Sequence, residues 1–311
     1  MNTRKRLQTI LKTLDLTQTE LAGRLGVSFV AFNNWWTGKA EPRPKMQARI
    51  DDLYKEVTGQ KTVSDENLAA KKKTLADKSA EHKNVIREIL DSQDIYDEFV
   101  LQLTYNSNSI EGSTLNRPDT AAILFDDSTV PNHSLIEHLE ARNHHAALDY
   151  LLQHLNRCGV IDKRLILDLH AKLMNGILRD AGRYRDHAVR LLGVPLPTAN
   201  PVSVPQKIAE VMAYAVEPTD DIIAKAVAVH ASFEQIHPFA DGNGRVGRLL
   251  LAAMLLRANL PPAIIEQERK QLYYAYLYKA QTSDDQSQLQ SFLCDAVMSG
   301  FGILERHQTT E

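Results

Sequence analysis

Cysteine is scarce in this chain: of 311 residues only Cys158 and Cys294 are cysteine, which excludes a disulfide-stapled scaffold and leaves each to fill a helix face. Long apolar runs are missing as well. The stretch Leu249 to Leu256 lies between Arg248 and Arg257 and is too short to span a bilayer. The first residues carry no apolar core of the signal-peptide kind. Neither an internal repeat nor a long low-complexity tract occurs, and there is no His-Asp dipeptide such as a metal-dependent phosphohydrolase uses. These absences predict a soluble cytoplasmic protein without a membrane partner.

Charge is unevenly distributed. The whole chain carries about −3, yet its first fifty residues hold nine basic against three acidic side chains, so the remainder is acidic by about −9. A basic module over residues 1–57, facing nucleic acid, on a body that does not is the expected arrangement. Within the module Leu7, Ile10, Leu11 and Leu14 mark one helix face. Thr17 caps a second helix through Leu21 and Ala22, Gly26 turns the chain, and Ser28 caps a third helix reaching Trp36. This helix-turn-helix pattern resembles the lambda-repressor/Cro-type DNA-binding domain. The resemblance implies Gln18 on a phosphate and the helix from Ser28 in the major groove of double-stranded DNA. Phe29 would reach a thymine methyl, and Asn33 and Asn34 adenine edges, with Val30, Phe32 and Trp35 packed inside. Cro-type modules usually bind as dimers, so a homodimer goes with this reading. Apolar Phe29 stands where a long polar side chain is common, and Trp36 where an acidic one often sits. A protein-interaction module on the same scaffold is therefore the competing reading.

The boundary falls near Thr58-Gly59-Gln60, and residues 58–94 read as a charged helical connector. The run Lys71-Lys72-Lys73, followed by Asp77, Lys78, Glu81, Lys83 and Glu88, predicts a solvated helix face. Beyond it, helical spacing predicts helices over Leu135–Leu155, Lys163–Leu178, Pro205–Ala215, Asp221–Ile236, Gly244–Ala258, Lys270–Thr282 and Gln286–Ile303.

One segment of this body concentrates chemistry: His237-Pro238-Phe239-Ala240-Asp241-Gly242-Asn243-Gly244-Arg245-Val246-Gly247-Arg248. The residue before a proline is pushed out of the α region, so a helix should stop near His237. Gly242 and Gly244 let bare backbone N–H groups approach a ligand where the next helix begins, and a helix N-terminus favours phosphate. Arg245 and Arg248, three residues apart, are expected to face one anion and clamp a polyphosphate. Asp241 suits a Mg²⁺ that keeps most of its waters. His237 is a base of the right pKa to deprotonate a hydroxyl at neutral pH.

The segment matches at every fixed position the His-x-Phe-x-Asp/Glu-Gly-Asn-Gly-Arg-x-x-Arg signature of Fic domains, and residues 95–305 resemble one of the AMP-transferring kind. The resemblance implies a protein adenylyltransferase that moves AMP from ATP to a hydroxyl of a target protein, releasing pyrophosphate. His237 would be the general base, Phe239 a core anchor and Asp241 the Mg²⁺ ligand. Asn243 and the amides of Gly242 and Gly244 would line the anion hole, with Arg245 and Arg248 on the outer phosphates. The implied fold is mainly α: a helical Fic domain with a small β-hairpin flap, plus the N-terminal helix-turn-helix bundle. A transcription regulator whose Fic body senses nucleotide without catalysis is the alternative.

Two further segments enter through the resemblance. Ser107-Asn108-Ser109-Ile110-Glu111-Gly112 fits the Ser/Thr-x-x-x-Glu-Gly/Asn motif of Fic inhibitory helices. Ser107 is expected as an N-cap, Gly112 as a C-terminal stop, and Glu111 as an anion that neutralises Arg248. In some relatives such a glutamate also aligns a water that removes AMP. The β-prone run Val189, Arg190, Leu191 and Leu192, bounded by Gly and Pro, reads as a hairpin resembling the Fic flap, where a target's backbone adds as a strand. His144 and His145 invite a metal reading, but adjacent helical positions diverge by about 100°, so satisfied or surface histidines are expected.

Overall fold

Apolar positions at helical spacing run through most of the chain. The computed structural model, which describes residues 3–14, 16–58, 62–157, 159–190, 196–283 and 285–306, is accordingly built of helices joined by short turns. Its head comprises α1 (Thr3–Leu14), α2 (Gln18–Arg24), α3 (Phe29–Thr37) and α4 (Pro44–Val57). Thr17 and Glu20 close a capping box, the Thr17 N–H donating to Glu20 Oε2 at 2.7 Å and the Glu20 N–H to Thr17 Oγ1 at 3.3 Å. Ser28 Oγ accepts the Ala31 N–H at 3.3 Å, starting α3 where the sequence places it. Leu7, Ile10, Leu21, Leu25, Phe32 and Ile50 are buried between these helices. Val30, expected inside, is 70% exposed. Phe32 and Trp36, one turn apart and stacked at 6.2 Å, define the inward face of α3, and Val30, two positions before Phe32, points the other way.

The connector holds α5 (Asp65–Glu81) and α6 (Val85–Asp91). The body follows as α7 (Gln93–Glu111), α8 (Arg117–Phe125), α9 (Leu135–Arg157), α10 (Lys163–Leu173), α11 (Val204–Val216), α12 (Ile222–Ile236), α13 (Asn243–Arg257), α14 (Lys270–Thr282) and α15 (Ser287–Arg306). The run Leu249 to Leu256 buries α13 on all sides, against α7, α9, α10 and α12, as an all-round apolar helix requires. That makes α13 the central rod of the body, with its N-terminus at the site described below. α1 and α4 of the head pack on α14, and one apolar core runs from head to body.

Three further expectations about the fold are corrected. α5 is solvated on one face only, with Lys73, Asp77 and Glu81 exposed, because its other face docks along α15 with Leu68 and Leu75 buried. Consecutive lysines turn about 100° apart on a helix, so two of the three meet the acidic body. Lys71 Nζ donates to Asp295 Oδ1 at 2.5 Å, and Lys72 Nζ to Asp221 Oδ2 at 2.5 Å and Gln290 Oε1 at 2.6 Å. α10 ends at Leu173 rather than Leu178, since Gly176 (φ 72) turns the chain and Asn143 Nδ2 donates to the carbonyls of Leu173 and Asn175 at 3.0 and 2.8 Å, capping the helix end. The hairpin is not formed as a ladder among the described residues. Leu191 and Leu192 lie outside them, and the flanks are joined by Thr198 Oγ1 donating to Val189 O at 2.8 Å. No helix among the described residues is long and apolar enough to cross a membrane.

Candidate active site

α12 ends where Pro238 forbids its continuation, and His237 takes a left-handed conformation (φ 52, ψ 65), a strained state for a residue with a Cβ, costing about 1–3 kcal/mol. The loop after it is pinned from inside. Phe239 is fully buried, stacked on His170 at 3.7 Å and packed by Tyr184 and Phe233. Asn243 was expected to line an anion hole, but its side chain turns inward. Its Oδ1 accepts the Phe239 N–H at 2.8 Å and its Nδ2 donates to Phe239 O at 3.0 Å, closing the loop on itself. Gly242 (φ 76) must be glycine, because a Cβ there would also press on Met174 Sδ at 2.8 Å.

The His237 ring is held in one tautomer. Its Nδ1–H donates to Glu234 O at 3.3 Å, which leaves the Nε2 lone pair free to accept a proton. Burial lowers its pKa below the ordinary histidine value, against the raising effect of the hydrogen bond to Glu234 O, with Arg185 lowering it further and Glu111 and Asp241 raising it by less. The ring therefore stays neutral at pH 7.

The first turn of α13 meets a carboxylate. A Cβ on Gly244 would collide with Glu111 Oε1 and lie 3.0 Å from Arg248 Nη1, so the bare glycine lets the Glu111 side chain rest on the helix N-terminus. Arg248 Nη2 donates to Glu111 Oε1 at 2.7 Å and to Ser107 O at 3.0 Å, while Nε donates to Ser107 Oγ at 2.9 Å. Burial alone would raise the Glu111 pKa and lower that of Arg248. Their mutual attraction outweighs it in both, keeping the pair ionised. Arg248 Nη1 is buried without a protein partner. Gly112 ends α7 in the left-handed region as expected, but Ser107 is no N-cap: it lies inside α7, which runs unbroken from Gln93 because Ile95, Phe99, Leu103 and Ile110 continue one helical face.

The two signature arginines do not converge. Arg245 is 2% exposed and turns into the body, where Nη1 donates to Glu140 Oε1 at 2.7 Å and Nη2 lies 3.9 Å from Asp241 Oδ2. Three positions apart on a helix they are rotated by about 60°, and Glu140 on α9 captures the inner one. Only Arg248 faces the cavity. Asp241 is exposed, its Oδ1 accepting the Gly242 N–H at 2.6 Å. One accessible carboxylate beside a helix N-terminus fits a Mg²⁺ shared with phosphates and water. Among the described residues no cluster of three or more His, Cys, Asp or Glu forms a protein-only metal cage.

These groups border a cavity of about 700 Å³ lined by Glu111, Glu234, His237, Gly244, Arg248 and, from α14, Lys270, Tyr273, Tyr274 and Tyr278. Arg190 of the expected flap also lines it. Glu234 is buried with Oε1 unpartnered, and burial pushes its pKa up to about 8. Sequence reasoning missed Glu140, Arg185 and the α14 tyrosines. Arg185, which closes the run Gly182-Arg183-Tyr184-Arg185 ahead of the expected flap, donates to His237 O at 2.7 Å. His144 and His145 are satisfied as expected, pairing with Thr104 Oγ1 at 3.0 Å and the Tyr96 hydroxyl at 3.2 Å. Gln18, Ser28, Phe29, Asn33 and Asn34 lie in the head, apart from this cavity. Phe29 is 46% exposed, and the Ser28 hydroxyl is spent on its cap.

Residues 160–255 match the Fic/DOC family. The protein adenylyltransferase Fic of Nematostella vectensis is 33% identical over 195 residues, 60% of this chain and 44% of its own length. The protein adenylyltransferase fic-1 of Caenorhabditis elegans is 32% identical over 191 residues, 58% of this chain and 36% of its own. The chain thus spans less than half the length of these curated relatives. Among solved structures, a fragment of Fic-1 from C. elegans superposes with a TM-score of 0.67 at 24% identity, over 94% of this chain and 86% of that one. A Fic-domain-containing signaling protein from Bacteroides thetaiotaomicron does so with 0.64 at 23%, over 76% and 98%. The chain shares the helical Fic fold of these structures.

Proposed function

We propose that this chain transfers AMP from ATP to a hydroxyl side chain of another protein, and that Glu111 holds the reaction off. The observation that carries the reading is the Glu111 carboxylate on the N-terminus of α13, paired with Arg248 at 2.7 Å. A carboxylate there occupies ground suited to a phosphate, next to a neutral imidazole. The names of the similar proteins, protein adenylyltransferases, support the same chemistry over a nucleotide-sensing role.

With Glu111 withdrawn, Arg248 is free to take the outer phosphates of ATP, and the α13 N–H groups to receive those nearer the sugar. The α14 tyrosines border the rest of the cavity. His237 Nε2 removes the proton from the incoming hydroxyl, whose oxygen bonds to the α-phosphorus. The bond from that phosphorus to the bridging oxygen of the β-phosphate breaks, and pyrophosphate leaves. Asp241 would hold a Mg²⁺, which supplies neutralising charge to the phosphates. The reverse use of Glu111, aligning a water that releases AMP from a modified target, is tested by AMP release with the wild-type chain and its loss in Glu111→Gly. Pyrophosphate release that appears in Glu111→Gly and vanishes in Glu111→Gly/His237→Ala tests the forward reaction.

For the head we propose double-stranded DNA as ligand, bound by a homodimer. The support is the capped α2–α3 pair, the outward Phe29 and the excess of basic residues. Affinity for duplex DNA that falls steeply with salt is expected, and no binding at low salt would remove the claim. The same head on a protein ligand would lack that salt slope.

A further inference from the structure

Arg185 is 2% exposed, yet among the described residues no carboxylate pairs with it. Its guanidinium is spent on carbonyls from two places. Nε donates to His237 O at 2.7 Å and Nη2 to Ile236 O at 3.3 Å. These are carbonyls of the final turn of α12, which has no following turn to supply N–H donors, and a cation at that end also complements the helix dipole. Nη1 donates to His187 O at 2.6 Å and Nη2 to Ala199 O at 2.6 Å, on the two sides of the expected flap. The Arg185 backbone N–H donates to Pro238 O at 3.0 Å, so the carbonyls of three consecutive residues, 236 to 238, all end on Arg185.

A buried cation facing only neutral carbonyls is an uncommon use of arginine, and the location gives it meaning. His237 is the one residue of this turn that holds a left-handed conformation while carrying a Cβ, and such backbone persists only where its surroundings over-determine it. We propose that Arg185 is a positioning residue: its planar fork fixes the His237 turn so that the imidazole meets the nucleotide cavity, and ties that turn to both flanks of the segment where a target chain docks. Arg185 touches neither nucleotide nor target, and acts through His237. The inference rests on His237 being the base of the proposed transfer. A lysine would keep the charge but cannot reach carbonyls in four directions from one ammonium.

The test is Arg185→Lys, made in the Glu111→Gly background for kinetics and in the otherwise unaltered chain for spectroscopy. Kinetically, kcat is expected to fall at least about tenfold while KM for ATP stays unchanged, because the α13 anion site is not touched. A second readout needs no turnover. The His237 imidazole, assigned in ¹H–¹⁵N spectra by its loss in His237→Ala, is expected to titrate higher in Arg185→Lys, towards the ordinary histidine value, as the loosened ring gains water. Glu111, Asp241 and the charge at position 185 are all retained in that comparison, so the shift reports the ring's placement. Should the lysine variant fail to fold, Arg185→Gln, which keeps planar donors, repeats the kinetic measurement alone, because losing the charge would itself raise the imidazole titration, and an unchanged kcat there would overturn the proposal. Unchanged kcat and an unchanged imidazole titration in a folded variant would overturn the proposal. Absence of any AMP transfer by Glu111→Gly itself would instead overturn the reading beneath it, and the titration would still decide the role of Arg185.

Discussion

Arg248 and Glu111 meet at 2.7 Å although 137 positions separate them in sequence, and the contact lies at the mouth of α13, the central apolar rod of the body. The Arg248 side chain is 8% exposed and that of Glu111 is 32% exposed. An exposed ion pair contributes about 0–1 kcal/mol, and breaking a buried one costs about 3–5 kcal/mol. This half-buried pair falls between, at about 2 kcal/mol.

Glu111→Gly is therefore expected to raise the rate of AMP transfer roughly 30-fold, by the conversion of 1.4 kcal/mol per factor of ten. Ser107→Ala removes the acceptor of Arg248 Nε and loosens the same arginine by less, roughly fivefold in rate for a hydrogen bond of about 1 kcal/mol. Steady-state rates of the two single variants and the double variant measure both effects and their coupling.

Burial holds the His237 pKa below 6.5, so the acid limb of the rate profile should lie below that pH and the rate should be level above it. Glu111 raises that pKa slightly, so its removal should shift the limb to lower pH. A profile of kcat/KM between pH 4.5 and 8 for wild type and Glu111→Gly checks both the position and the sign.

Stability carries its own pH dependence. Burial, the dominant cause in each, lowers the pKa of His144 to about 3 and those of His170 and His230 to about 4. Unfolded histidines titrate near 6.5, so the unfolded chain binds more protons below that pH. The stability these groups contribute is complete above pH 6.5 and is lost as pH falls towards 4. Glu234, raised to about 8, acts in the opposite sense, but with one proton against three. Urea midpoints at pH 7.5 and 5 should show the lower stability at pH 5, and His144→Gln should reduce the difference.

Glu140→Ala leaves Arg245, 2% exposed, with only the distant Asp241 Oδ2 at 3.9 Å as counter-charge and Nη1 without its acceptor. A stability loss of about 3 kcal/mol is expected, with Glu140→Gln milder because an amide oxygen still accepts from Nη1. Denaturant unfolding of the two variants measures this directly. Equal stability of Glu140→Ala and wild type would mean that Arg245 finds another partner.

Local features of the fold were legible in the sequence where the chain itself supplies the cause. Thr17, Ser28, Gly112 and the His237-Pro238 step stop or start helices through contacts within a few residues. The candidate active-site segment, residues 237–248, was legible for the same reason, since its helix end, turn and helix start are contiguous. Choices of partner were not. Arg245 finds Glu140 from 105 positions away, Lys71 and Lys72 find α15 and Asp221, and Asn243 turns inward because the Phe239 backbone needs both its donor and its acceptor. Ser107 was misjudged because a good capping residue is silent about whether the apolar face upstream already carries a helix through it.

The most direct measurement uses ATP labelled either on the α- or on the γ-phosphate, incubated with the Glu111→Gly chain and candidate acceptor proteins, with Glu111→Gly/His237→Ala alongside. Label from the α-position on protein, none from the γ-position, and none from either in the double variant is the predicted result. Label from the γ-position, or α-label that survives the loss of His237, would contradict the assignment of that histidine as the base of an AMP transferase.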